Sequence, residues 1–122
     1  MIDRYVIAIT PGNTHFLIHC DDGETMTLQS LQDMVEGPIE TVPSALSPTW
    51  AREPVDNIRL IVNEEGKLMG LPRNENATDM SQLFGDKIVG NAVLMAARGD
   101  ELIGFRREAA EYIAKQWLEE EA

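Results

Sequence analysis

The sequence predicts an α+β domain: a mostly antiparallel sheet with helices packed on one face. Three observations carry this. Short apolar runs separated by turn signals fill most of the chain up to Phe105; the nearly unbroken apolar run 88–97 reads as a central strand covered on both faces; and the segment 106–120 has clear helical spacing. A chain of 122 residues is the size of one domain, and 43% apolar residues suffice for a core without disulfides or a structural metal. We therefore expect a single domain over 1–122.

Taken in order, 5–10 reads as a strand closed by the turn Pro11-Gly12-Asn13, and 15–20 as its partner. Asp21-Asp22-Gly23 reverses the chain. Thr27 caps a helix whose Leu28, Leu31, Met34 and Val35 share one face, and Gly37-Pro38 stops it. A short extended piece follows at 39–42. The stretch 43–56, with three prolines and two serines, is a long surface loop anchored by Trp50. Strand 58–62 returns through 67–69 by way of a three-residue loop in which Gly66 takes the left-handed position. A short helix over 79–84, capped by Thr78 or Asp79, precedes the central strand. Gly99-Asp100 turns the chain into 101–105, and the final helix spans 106–120, with Ala109, Ala110, Ile113, Ala114, Trp117 and Leu118 on its apolar face and Glu111 spaced to pair with Lys115.

The charge is lopsided, with 21 acidic against 10 basic residues and a net charge of −11. Such a surface repels phosphate backbones, so direct nucleic-acid binding is not expected. The longest apolar stretch, 92–97, is far short of the roughly 20 residues of a membrane span. Neither a signal segment nor a pair of cysteines is present, and the chain reads as cytoplasmic.

The usual chemical candidates fall away on geometry. His15 and His19 share a strand face, but four strand residues span roughly 13 Å, whereas two ligands of one zinc ion lie within about 4 Å of each other. Cys20 is followed by Asp21 and Asp22, which disfavour a thiolate. The serines lack a nucleophile-elbow context, and Gly66 and Gly70 fit no phosphate-binding loop. No catalytic residue, metal ligand or cofactor is expected.

The richest stretch is LIVNEEGKLMGLPRNENAT, 60–78. Its first half reads as a hairpin turn; in the second, 71–79, the bland reading is that the polar residues serve local caps, and we weigh it at about two to one over a binding edge because Asn and Thr are common local cappers. The candidate binding residues are Trp50, Asn63, Arg73, Asn74, Glu75, Asn76 and Thr78. Three sets of residues, Leu31 with Val35-Glu36-Gly37-Pro38-Ile39-Glu40, the motif NEEGK at 63–67 continuing to GLPRN and Ala77-Thr78, and Ile88-Val89-Gly90-Asn91, resemble a small domain family of unknown function found in bacteria, phages and plasmids. The resemblance spans about 28–93. It implies an origin in a bacterium or mobile element and carries no catalytic residues over. The leading expectation is a non-enzymatic interaction or regulatory protein, an accessory of a phage or conjugative element, with another protein as partner and self-association left open. The alternative is a ligand binder or enzyme using Asn63, Asn74 and Asn76, for which a pocket lined by those asparagines would speak. A further alternative is an acidic nucleic-acid mimic.

Overall fold

The computed structural model describes residues 3–49, 55–81 and 86–118. In chain order these form β1 (Arg4–Ile9), β2 (His15–His19), α1 (Leu28–Val35), β3 (Ile39–Pro43), β4 (Asn57–Asn63), α2 (Glu75–Met80), β5 (Ala92–Arg98), β6 (Glu101–Ile103), β7 (Phe105–Arg106) and α3 (Arg107–Trp117). Among the described residues the strands make one antiparallel sheet in the order β2-β1-β5-β4-β3. Strands β1 and β5 run together only where Ile7, Ala8 and Ile9 face Leu94, Val93 and Ala92. Beyond that they diverge, and the gap is filled by β6 against β5 and β7 against β1. The α+β class and the antiparallel sheet are as the sequence predicts.

The crossover from β6 to β7 is made at Gly104, where the backbones crowd. A Cβ there would lie 2.4 Å from Cys20 Sγ and 2.9 Å from the Tyr5 backbone nitrogen. Only glycine allows this approach. Arg4 donates from Nη1 to the Gly104 carbonyl at 3.0 Å and pins the crossing.

Strand β5 lies at the centre and is buried from Ala92 to Ala97. Its even residues Ala92, Leu94 and Ala96 join Ile7, Ile9, Ile58 and Leu60 beneath α3, through Ala110, Ile113 and Ala114, and beneath α2, through Ala77 and Met80. Its odd residues Val93 and Met95 join Val6 and Ile61 beneath Leu31 and Val35 of α1. The helices thus divide between the two faces, where the sequence suggested a common one. The reason is β5 itself: a strand apolar on both sides needs cover on both. Each fully buried large side chain, Ile113 or Leu60 for example, contributes about 1.5–3 kcal/mol.

Other expectations are corrected locally. Residues 64–70 form consecutive turns, and 67–69 is not a return strand; β4 pairs with β3 and β5 instead. Helix α2 begins at Glu75 with Asn74 as its N-cap, so neither Thr78 nor Asp79 caps it. The expected helix over 79–84 runs partly outside the described residues, as does the middle of the 43–56 loop with Trp50. In α3 the pair formed by Glu111 is with Arg107, at 2.8 Å.

Candidate functional site

Asn63 ends β4 and is 5% exposed. Its amide nitrogen donates to the Val35 carbonyl at 3.0 Å, tying the end of α1 to the sheet. Its Oδ1 accepts from the Glu65 N–H at 2.7 Å and opens the 64–70 turn. Asn74 is fully buried. It donates to the carbonyls of Ile9 and Gly90, both at 2.9 Å, and accepts from the Ala77 N–H at 3.1 Å. One side chain thereby joins the end of β1, the approach to β5 and the first turn of α2. The Thr78 hydroxyl donates to the Asn74 carbonyl at 2.7 Å and accepts from the Ile88 N–H at 2.9 Å. Asn63, Asn74 and Thr78 are braces between elements, with their polar atoms turned inward.

Arg73 and Glu75 are on the exterior, joined by a 3.0 Å ion pair, and Asn76 is half-buried on α2. The structure therefore does not assemble Asn63, Asn74 and Asn76 into one pocket. Asn63 lines a cleft that Asn74 and Asn76 do not reach.

That cleft opens along the edge strand β3. Its apolar floor is Val42, Val62, Ile88 and Val89, its rim carries Glu40, Glu64, Lys67 and Lys87, and its volume is about 200 Å³. The Lys67 ammonium and the Asp86 carboxylate are paired across its mouth. This contact first, and the Lys87 backbone N–H second, hold the Asp86 carboxyl below the usual carboxylate range. Beside the cleft stand Leu68, 88% exposed, and Met69, 52% exposed. They are not on a loose loop. The turn that carries them is closed by Met69 N–H to Glu65 O at 3.0 Å, Gly70 N–H to Lys67 O at 3.2 Å and Leu71 N–H to Gly66 O at 3.1 Å. Gly66 packs on Val89, where a Cβ would come within 2.9 Å of Cγ2. Sequence reasoning missed Leu68 and Met69 because a strand would have hidden one of them. The readable sign was two large apolar residues between two glycines, inside a run of charges.

With this geometry in place, a family model matches residues 2–118. The chain belongs to the family described as Domain of unknown function (DUF3846). The match extends past the 28–93 span of the motif resemblance and takes in the β1–β2 hairpin and α3. No curated protein and no solved structure matches the chain.

Elsewhere in this DUF3846 domain, His19 is exposed, 3.1 Å from the Asp3 carboxylate and edge-on to the Tyr5 ring. Among the described residues no three His, Cys, Asp or Glu side chains cluster as metal ligands. Cys20 is buried, and its thiol is pushed up to about 11, by burial first and by Asp22 next. The two aspartates matter as the sequence suggests, but desolvation leads.

Proposed function

We propose that this DUF3846 domain is a non-enzymatic docking module that binds a protein partner through the β3 cleft and the Leu68–Met69 tip. The observation that carries the reading is the tip. A hydrogen-bonded turn holds Leu68 in water and Met69 half in it, the Met69 Sδ accepting from the Asn63 amide at 3.5 Å, beside a cleft with an apolar floor, and ordered apolar groups of this kind mark interaction sites. The cleft is smaller than the roughly 300–1,000 Å³ of small-molecule pockets and has room for one or two partner side chains. Three of its chemistry-bearing groups are already engaged: the Asn63 amide within the fold, and Lys67 and Asp86 with each other. Those commitments favour binding over catalysis. Arg73 and Glu75, on the exterior in the same motif region, are further exposed polar groups open to a partner. The further reading as an accessory protein of a phage or conjugative element rests on the motif resemblance alone.

A photo-crosslinking residue at position 68, compared with one at exposed position 115 on α3, tests the docking surface in cells of the source organism. A discrete adduct from position 68 and none from 115 is the expected result. Equal labelling from both positions counts against a docking site here.

A further inference from the structure

We infer that a second copy of this chain pairs with the open edge of β2, antiparallel and centred on Leu17, to give a two-fold dimer with one continuous sheet.

The register of the β1–β2 hairpin shows which backbone groups are available. Cys20 N–H donates to Arg4 O, and Thr10 N–H to Thr14 O, both at 2.9 Å. In an antiparallel pair, alternate residues exchange both bonds with the partner and those between turn theirs outward. With Ile18 opposite Val6 and Phe16 opposite Ala8, the groups of Phe16 and Ile18 are used by β1. The N–H and C=O groups of His15, Leu17 and His19 face the open edge. Among the described residues no other strand pairs there.

The opposite edge differs. Glu64 N–H donates to Pro38 O, and Ser44 N–H to Ile58 O, so Ile39, Thr41 and Pro43 face outward from β3. Pro43 has no N–H, and a proline on an edge blocks strand addition. Strand β2 carries neither proline nor lysine.

The occupant is set by the strand's own sequence, His-Phe-Leu-Ile-His, which reads nearly the same in both directions. Placed antiparallel on itself about Leu17, it matches His15 with His19, Phe16 with Ile18 and Leu17 with Leu17. The outward-facing residues become the hydrogen-bonded pairs. Phe16, 56% exposed in the single chain, gains the partner's Ile18 as a cross-strand neighbour, a favourable aromatic–β-branched pairing. A net charge of −11 on each copy opposes the association, so salt strengthens it. Because β2 and β3 are at opposite ends of the sheet, the dimer leaves both β3 clefts open at its far ends. The inference stands independently of what those clefts bind.

Sedimentation equilibrium of the full chain tests it, at about 0.01 and 1 M salt, where the Debye length is about 30 and 3 Å. A dimer that tightens with salt is expected, and Phe16→Lys and Leu17→Pro each weaken it by about tenfold or more. Under mild oxidation Leu17→Cys links to itself while Phe16→Cys does not, since the paired Cα atoms at position 17 are about 5.5 Å apart. If Leu17→Pro unfolds by circular dichroism, Phe16→Lys and the cysteine pair decide. A chain that stays monomeric at about 1 M salt, a dimer indifferent to Phe16→Lys, or equal crosslinking at 16 and 17 overturns the inference.

Discussion

Asn74 is a polar residue whose every role points inward. It caps α2 and donates to two backbone carbonyls of other elements. Alanine there leaves buried carbonyls and an N–H without partners, at about 1–3 kcal/mol for each unsatisfied group. Asn74→Ala is therefore expected to lower stability in urea by about 3 kcal/mol. Asn76→Ala should fall within about 0.5 kcal/mol of the parent. If the two cost the same, the bracing role is wrong. Which asparagine of the RNENAT stretch is inside was not legible in the sequence, because the answer depends on Ile9 and Gly90, which long-range pairing brings near. Gly66 teaches the same lesson. The hairpin pattern pointed to a left-handed residue there, yet the positive φ of this turn is at Gly70, and Gly66 is small because Val89 lies against it.

Elements were legible where local signals agree. The first hairpin, α1 with its Thr27 cap, the central strand and α3 all follow from turn residues and apolar spacing, and all form. The end of α1 departs in one detail. Glu36, not Gly37, takes the left-handed C-cap with φ 66°, while Gly37 is kept small by Asn63, whose amide nitrogen would be 2.7 Å from a Cβ. Glu36→Gly removes the left-handed penalty and is expected to stabilise the chain by about 1 kcal/mol in thermal or urea unfolding; a loss of stability would contradict the cap assignment. The turn between β2 and α1 is held by acids. Asp22 accepts from the Thr25 and Glu24 N–H groups at 2.6 and 2.9 Å, and from the Thr25 hydroxyl at 2.8 Å. These bonds lower its carboxyl from 3.8 to about 2. A depressed folded-state value means that its contribution is whole above the unfolded value and is lost as pH falls through the folded one. The window is thus about pH 4 down to pH 2. In urea melts across that range, Asp22→Asn should lose less stability than the parent. Parallel pH profiles would show that Asp22 does not anchor the turn.

At the scale of the whole molecule, the sheet order places the β3 cleft at one end and the open β2 edge at the other, with the helices covering the two faces between. The sequence announced the class of this architecture. It did not announce the division of helices between faces, although a central strand apolar on both sides already required it. Nor did it separate bracing residues from presenting ones, since both occur in a single polar stretch and only burial distinguishes them. Asn63, Asn74 and Thr78 hold the fold, while Leu68 and Met69 are the proposed docking surface. Capture from the source organism's lysate, using the parent and Leu68→Ser/Met69→Ser side by side with their melting temperatures, tests this most directly. The double variant is expected to melt with the parent, within the roughly 0.5 kcal/mol typical of exposed positions, and no longer to retain a protein that the parent captures. A double variant that keeps that protein, or one that unfolds, would contradict it.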